Sequence, residues 1–512
     1  MAKIRAGTSP VSGLYYGDRR AVKAYLGDWQ VWPDGPDPEP GPVGEETILT
    51  LELTSNLAQT LYFTQSAANG VSIDWGDGSP AETAAALSAA ASHTYVAAGT
   101  YQVRMTAGAG VTWSPGAYTS ITYEGNTFED NVGICGTDAG GKTGTSPQLI
   151  AVFFGRGAEI SRPFAFTGCT SLPAIQLPAG TTALPQGCFD GCTALSSVSG
   201  LADLTSIGSN CFSGCSALRS ISLPDTVTTI APYAFQQSGL TAFSFPAACT
   251  AIQEHVLRQC HDLASVTIPE GVTSIGQQAF FACSALTSLT LPASLTDIYD
   301  PDEATAFTGM SLCFCGPSSS LQNIFVAADN PTYSDADGVL CNKSGDLLLV
   351  FPAGRTGAYS IPPAMCVYNA AFAYSQLTRL TVPGGVTFAT RREGTVIRLT
   401  PSATFTNTQL AKLRFFRYAD FTQAEVGCEA LYGNAFEDTY SLAAVWIRSS
   451  CTTVKTNGTS GYGPFLNTSS GCRLYLEAAA APGGFETYWD LYDANTSHVL
   501  QKTYGQTTSP FA

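Results

Sequence analysis

An aromatic or leucine residue recurs about every 23 residues through the middle of the chain. Each copy continues into Leu-x-x-Ψ-x-Ψ-Pro, where Ψ is apolar, as in "LRSISLP" and "LASVTIP". The series is Phe166, Phe189, Phe212, Phe235, Leu257, Phe280 and Phe307, with later copies at Phe372 and Phe436. A unit this short cannot bury its apolar residues alone, so neighbouring units must stack. The spacing therefore predicts an elongated solenoid.

The phase of this repeat, together with the insertion "NPTYSDADGVLCNKSGDLLLVFPAG" at 330–354, resembles the BspA-like class of leucine-rich repeats. The resemblance covers about 70% of the chain. It implies a leucine-rich-repeat solenoid over residues 125–484, with a hairpin insertion near 328–354. We expect "DADG" at 335–338 to form the hairpin turn, and the aromatic-rich residues 485–512 to cap the open end.

Residues 47–124 alternate apolar and polar positions between tight turns, which is typical of strands. The stretches "DWGDG" at 74–78 and "HTYVAAGTYQVRM" at 93–105 resemble a PKD-type, immunoglobulin-like β-sandwich. In the turn, Gly76 and Gly78 permit positive φ, and the carboxylates of Asp74 and Asp77 can accept hydrogen bonds from nearby amides. We expect a structural turn, with calcium binding by the two aspartates as the alternative.

Residues 34–46 are a proline-rich linker that isolates an N-terminal segment, residues 1–33. The segment contains "VKAYLGDWQVWP", which predicts a strand, a Gly-Asp turn and a second strand. This stretch resembles the start of tailed-bacteriophage minor tail and tip proteins. The resemblance implies docking to other tail proteins and a homo-oligomer, with a trimer suggested by analogy with phage fibres. The expected docking residues are Tyr25, Leu26, Gly27, Trp29 and Trp32.

The charge and hydropathy of the chain argue against several partners. A net charge of −16 without a basic cluster disfavours nucleic acid. No apolar run is long enough to insert into a membrane. The N-terminus lacks the apolar region of a signal peptide, so we expect synthesis in the host cytoplasm and placement in the virion tail.

The cysteines occupy two columns of the repeat. One column, immediately before the aromatic residue, alternates cysteine with alanine, as at Cys188 and Ala234. The other, three residues after it, alternates cysteine with serine, methionine or threonine, as at Cys192 and Ser238. This pattern favours buried thiols. Disulfides between neighbouring repeats and a metal site stay open as alternatives.

The sequence gives no support for catalysis or for a cofactor. "GTDAGGKT" at 136–143 satisfies the P-loop pattern, but Gly144 and Pro147 follow where that site needs a helix. No nucleophile elbow or metalloprotease helix is present. We therefore expect a protein that is not an enzyme and has no catalytic residues, metal or cofactor.

The outward positions of the predicted strands carry small hydroxyl residues until they change to Phe325, Arg379 and Trp446. Outward aromatic and arginine side chains are typical of protein or glycan contacts. We predict that these three residues bind a host-surface protein or glycan. The alternative is that inserted loops cover them.

Together these features predict a mainly β, non-enzymatic phage tail-tip or fibre adhesin. It would combine a docking segment, a PKD-like sandwich and a leucine-rich solenoid. Three alternatives stay open: a bacterial cell-surface adhesin, a structural virion component without a ligand, and an enzyme acting on cell-wall glycan.

Overall fold

The computed structural model describes residues 46–54, 58–123, 126–134, 149–299, 310–368, 371–381 and 387–389, with further short strands towards both ends. These residues form β-strands and one 3-10 helix, Met310–Cys313. The chain is therefore mainly β, as its sequence predicts. Within this described part, no helix has the length and apolar character needed to cross a membrane.

Two short antiparallel hairpins lie near the N-terminus. They consist of β1 (Tyr15–Tyr16) with β2 (Arg19–Arg20), and β3 (Tyr25–Leu26) with β4 (Trp29–Gln30). The second hairpin contains the two strands expected from "VKAYLGDWQVWP", with Leu26 opposite Trp29. The docking role of this segment stays a prediction, and Gly27 and Trp32 lie outside the described residues.

The next unit contains two antiparallel sheets and a hairpin. Its strands are β5 (Glu46–Leu53), β6 (Ala58–Gln65), β7 (Val71–Asp74), β8 (Glu82–Thr83), β9 (Ser88–Thr94), β10 (Gly99–Ala107), β11 (Trp113–Pro115), β12 (Ala117–Tyr123), β13 (Asn126–Val132) and β14 (Leu149–Phe153). One sheet has the order β14-β5-β10-β7-β8, the other has the order β11-β6-β9, and β12 pairs with β13. Inward residues of both sheets, among them Leu49, Phe63 and Trp113, share one buried cluster.

Strand β14 connects this unit to the repeats. It pairs antiparallel with β5, with Phe153 opposite Ile48, so the sheet takes a strand from beyond residue 124. The amide of Ile134 also donates to the carbonyl of Ala165, at 2.8 Å, in the first repeat. The buried apolar residues consequently form one continuous cluster from the sheets into the repeats. The assignment of the sheets to the PKD type stays a resemblance.

The repeats contain short parallel strands in five small sheets of two or three strands, in which equivalent residues of successive units pair with each other. In chain order the strands are β15 (Ala174–Gln176), β16 (Ala183–Leu184), β17 (Ser197–Ser199), β18 (Ser206–Ile207), β19 (Thr229–Ile230), β20 (Ala242–Ser244), β21 (Ala251–Ile252), β22 (Ser265–Thr267), β23 (Ser274–Ile275), β24 (Ser288–Leu291), β25 (Asp297–Ile298) and β26 (Asn323–Val326). The pairs β15-β17, β20-β22 and β24-β26 follow one another along the chain. The surface formed by these six strands is called the strand face below. The predicted solenoid is therefore present.

The anchor residues of the repeat stack along the solenoid axis. The Phe189 and Phe212 rings lie 5.3 Å apart at 16°, and the Phe212 and Phe235 rings lie 5.3 Å apart at 8°. Each ring is fully buried. Because a ring packs only against the repeat before and the repeat after it, the core runs the length of the array.

The anchor after Phe280 is Phe314, whereas the sequence spacing predicts Phe307. The ring of Phe314 stacks on Phe280 at 6.2 Å and 9°, and the amide of Phe280 donates to the carbonyl of Cys313. This bond is the one that Phe189 makes to Cys211 in a regular repeat. Phe307 lies outside the described residues.

The insertion forms β27 (Tyr333–Ala336), β28 (Val339–Asn342) and β29 (Leu347–Val350). Ala336 pairs with Val339, so Asp337 and Gly338 form a two-residue turn with φ of 51° and 74°. Such a turn matches the twist of the flanking strands and favours Asp-Gly. The predicted role of "DADG" is confirmed.

Beyond the insertion, parallel pairing continues into the C-terminal part. The strands are β30 (Thr356–Ser360), β31 (Cys366–Tyr368), β32 (Gln376–Thr381), β33 (Thr387–Ala389), β34 (Thr404–Phe405), β35 (Tyr418–Asp420), β36 (Ala430–Tyr432), β37 (Ala444–Ile447), β38 (Thr453–Lys455), β39 (Arg473–Leu476) and β40 (Gln501–Tyr504). Three sheets result, with the orders β27-β28-β29-β31-β33, β30-β32-β35-β37-β39-β40 and β34-β36-β38. Residues 485–512, the expected cap, supply β40 as the last strand of the longest ladder.

Candidate functional site

The strand face presents two columns of small, uncharged side chains. Alternation along each strand turns these residues outward, and they are exposed or half-buried. The columns are Ala174, Ser197, Ser220, Ala242, Ser265, Ser288 and Asn323, and Gln176, Ser199, Ser222, Ser244, Thr267, Thr290 and Phe325. The strand face is therefore smooth and neutral up to its last described strand.

Phe325 interrupts this face. It pairs with Thr290 in the ladder, while its neighbour Ile324 is buried. The ring is 44% exposed, which is unusual for a large apolar residue in this solenoid. An exposed ring on a rigid strand loses little conformational entropy when it binds, so Phe325 is suited to anchor a ligand.

The other two predicted site residues belong to a different sheet. Arg379 lies in β32 and Trp446 in β37. In the register of that sheet Trp446 is aligned with Thr381, two positions along from Arg379. The strand of Phe325 pairs with β24 and not with this sheet. The side chains of Arg379 and Trp446 lie outside the described residues, so their grouping with Phe325 stays a prediction.

Arg355 fixes the surroundings of Phe325, and the sequence patterns do not reveal it. Its Nε donates to the carbonyl of Gln322 at 2.6 Å, and its Nη2 donates to Oδ1 of Asn323 at 2.9 Å and to the carbonyl of Asp337. The guanidinium also lies 3.7 Å from Oδ2 of Asp337. One side chain thus connects β26 with the turn of the insertion hairpin.

The hairpin also covers the open edge of β26. The amide of Ile324 donates to the carbonyl of Gly338 at 2.8 Å. The amide of Val326 donates to Oδ1 of Asp335 at 2.9 Å. A strand edge left unpaired would invite association with other chains. The hairpin satisfies this edge and leaves the ring of Phe325 exposed.

The thiols of the second cysteine column donate hydrogen bonds between repeats. Sγ of Cys192 donates to the carbonyl of Phe166 at 3.0 Å, and Sγ of Cys215 to that of Phe189 at 3.2 Å. Cys260 and Cys283 repeat the pattern. These four cysteines of the column are therefore hydrogen-bond donors to the preceding repeats.

Burial makes these thiols poor nucleophiles. Burial raises the pKa of Cys260 to about 11, and it raises that of Cys215 well above its ordinary value. The thiolate is the reactive form of cysteine and the form that binds metal. Among the described residues, no three His, Cys, Asp or Glu side chains are arranged to hold a metal ion.

The "DWGDG" turn has the predicted internal hydrogen bonds. The amide of Gly76 donates to Oδ1 of Asp74 at 2.9 Å, and that of Ser79 donates to Oδ1 of Asp77 at 3.0 Å. Gly76 and Gly78 have φ of 74° and 86°. A Cβ at Gly76 would lie 2.3 Å from the carbonyl oxygen of Gln102. The structural role of this motif is confirmed.

The repeats are similar to a known family of sequences and to several solved structures. Residues 152–264 and 256–325 match the BspA type leucine-rich repeat region, in six copies. No curated protein matches the sequence. One similar structure is a leucine rich cell surface protein from Faecalibacterium prausnitzii, with 21% identity and a TM-score of 0.49, covering 74% of this chain and 96% of that one.

Two further crystal structures are similar. The pneumococcal vaccine antigen PcpA shares 16% identity over 71% of this chain and 80% of its own, with a TM-score of 0.42. A leucine-rich repeat protein from Eubacterium ventriosum shares 18% identity over 77% and 97%, with a TM-score of 0.37. Residues 152–325 of this chain are therefore similar in sequence to the BspA type leucine-rich repeat region, and their paired strands and stacked anchors agree with that similarity.

Proposed function

We propose that this chain is a non-enzymatic adhesion protein that binds a protein or glycan of another cell through its strand face. The exposed ring of Phe325, at the end of a neutral column of hydroxyl side chains, carries the proposal. A rigid ladder holds this ring, and the hairpin bound by Arg355 borders it. Such an arrangement presents a preformed contact surface.

We propose a bacterial cell surface as the place of display. The BspA-type repeats support a surface protein, whereas the tail-tip resemblance depends on the N-terminal stretch "VKAYLGDWQVWP". The tail tip of a phage is the second candidate, and that stretch is the observation in its favour. The two candidates share the binding surface and differ in the cell that it contacts.

The experiment measures binding of the fluorescently labelled full-length chain to cultured epithelial cells and to Gram-positive and Gram-negative bacteria, by flow cytometry. The test variant is Phe325→Thr, which gives this position the type of residue its neighbour Thr290 has. The control is Tyr299→Thr, which removes an aromatic residue that is 37% exposed and lies outside the strand face. We expect Phe325→Thr to weaken binding about tenfold or more, and Tyr299→Thr to leave it unchanged.

The outcomes separate the candidates. Binding to epithelial cells supports a cell-surface adhesin, and binding restricted to a group of bacteria supports a phage tail tip. No binding to any of these cells, or equal binding by the wild type and Phe325→Thr, would contradict the adhesion proposal.

A further inference from the structure

Two columns of the repeat adopt left-handed backbone conformations. Both lie in the turns around the anchor residues, and the side of the solenoid formed by these turns is called the turn side. The first lies two residues before the anchor and the second lies two residues after it. Their members are Phe164, Gly187, Asn210, Tyr233, His255 and Gln278, and Gly168, Gly191, Gly214, Gln237, Gln259 and Ala282. Glycine and asparagine adopt this conformation at little cost, but larger side chains do not. Several repeats, among them the middle ones, therefore have large residues at positions where a small residue would adopt the left-handed conformation at a lower free-energy cost.

Two large residues of the first column, Tyr233 and His255, form a stacked pair. The rings of Tyr233 and His255 lie 4.4 Å apart at an angle of 10°. Since the two residues are equivalent members of successive repeats, their rings stack along the solenoid axis, and both residues are half-buried. Ring edges carry partial positive charge, and the phenol adds a hydrogen-bond donor.

Arg258 lies in the repeat of His255 and is half-buried. Its guanidinium carbon lies 5.6 Å from the centre of the Phe281 ring, and Phe281 in turn contacts Tyr374 edge to face. Arg258 forms no ion pair within the described part of the chain, although Glu254 is close in sequence. An arginine held on an aromatic face without a carboxylate partner is positioned to accept one from a ligand.

The same cluster contains buried polar atoms that lack partners. Nε of Arg258, Nδ1 of His255 and Oε1 of Gln236 are buried and form no hydrogen bond with the described residues. Unsatisfied buried groups are uncommon in folded proteins, and each calls for an explanation. Three of them lie in adjoining repeats beside the stacked rings, so the fold alone does not satisfy the polar side chains of this cluster.

We infer that Tyr233, His255 and Arg258 form a second binding site, for a carboxylate-bearing sugar of an acidic glycan. The planar guanidinium matches the carboxylate in a two-point contact. The amide of Gln236 matches sugar hydroxyls, which both donate and accept hydrogen bonds, while the side chain of Gln278 bonds to His255. The site lies on the turn side and therefore does not depend on Phe325 or on the proposed adhesion through the strand face.

The test is isothermal titration of the full-length chain at pH 7 and low salt with trigalacturonate and with its methyl ester, which lacks the charge. We expect the acid to bind about tenfold or more tightly than the ester. Arg258→Gln should abolish this difference. Arg219→Gln is the matched control, because it removes the same charge from an exposed arginine paired with Asp262.

Two further variants keep the result interpretable. Arg258→Lys retains the charge and the aliphatic stem but loses the planar fork, so we expect it to fold and still to lose most of the preference for the acid. Phe325→Thr should leave titration with the acid unchanged. Equal binding of acid and ester by the wild type would overturn the inference, and so would equal losses in Arg258→Gln and Arg219→Gln.

Discussion

The thiol of Cys215 donates a hydrogen bond to the carbonyl oxygen of Phe189 in the preceding repeat, at 3.2 Å. Cys188, in the other column, occupies a position where the preceding repeat has Ala165 and a later repeat has Ala234. The two columns of cysteine therefore differ in chemistry although both are buried. In one column the sulfur donates to a backbone carbonyl, whereas in the other the thiol of Cys188 contacts that of Cys211, the equivalent residue of the next repeat.

This difference predicts opposite tolerances in the two columns. Cys215→Ser keeps a donor, so we expect it to be more stable than Cys215→Ala by about 1 kcal/mol. At Cys188 we expect the alanine variant to be the more stable of the two, because alanine occupies the equivalent positions Ala165 and Ala234. Urea denaturation of the four variants measures both differences. The same order at both positions would contradict the prediction.

Gly187 and Gly191 provide a test of close packing. Both have positive φ, 61° and 71°. A Cβ at Gly187 would lie 2.2 Å from the ring of Phe164, whereas a Cβ at Gly191 would meet nothing closer than 3.8 Å. We expect Gly191→Ala to lower the free energy of unfolding by about 1 kcal/mol, because alanine is strained in a left-handed backbone conformation. Gly187→Ala should lower it clearly more, because its Cβ would also clash with the ring of Phe164. Equal thermal midpoints of unfolding for the two variants would disprove this.

Asp77 makes the stability of the two-sheet unit, β5 to β14, decrease at acid pH. Hydrogen bonds from Ser79 and then from His93 lower the pKa of this carboxyl below its ordinary value of 3.8. A lowered pKa in the folded state contributes stability that is present above the unfolded value and is lost as the pH falls below it. We expect Asp77→Asn to lower the thermal midpoint at pH 7, and the difference from wild type to shrink below about pH 4. A difference that stays constant down to pH 2 would show that the carboxylate charge is not involved.

Arg355 should control the attachment of the hairpin to β26. Without its guanidinium the turn at Asp337 and Gly338 loses its connection to Gln322 and Asn323, so the amide of Ile324 is expected to open more often. Hydrogen exchange followed by mass spectrometry should show faster exchange around Ile324 in Arg355→Ala. Lys343→Ala is the control, because this exposed lysine of the same hairpin donates to the carbonyl of Ala328 instead. Unchanged exchange at Ile324 in Arg355→Ala would contradict the assigned role.

The sequence predicts those parts of the fold that obey a local period. The anchors from Phe166 to Phe280 and the outward position of Phe325 follow from spacing and alternation alone. The anchor Phe314 does not, because it lies 34 residues after Phe280 and a shorter step to Phe307 fits the period better. Spacing rules cannot detect an irregular segment whose only constraint is a ring stacked in three dimensions.

Contacts between segments that are distant in sequence are not predicted by the sequence patterns either. Arg355 bonds residues 33, 32 and 18 positions away, and no short pattern connects them. The pairing of β14 with β5 joins residues about one hundred positions apart. The cluster at Tyr233, His255 and Arg258 is visible only once the repeats are superposed and the left-handed backbone is known.

The pairing of β5 with β14 also determines how the molecule carries mechanical load. Glu46 begins β5, and Phe153 ends β14 opposite Ile48, so the two strand ends lie about 5 Å apart. Tension between a tethered N-terminus and bound repeats would enter and leave through these adjacent ends. The bonds of Trp113 to Gly157 and Glu159, and that of Ile134 to Ala165, would share this load, because they also join the unit to the chain beyond β14. The bond from the amide of Gly155 to Oγ1 of Thr47, at 2.8 Å, would be among the first to break.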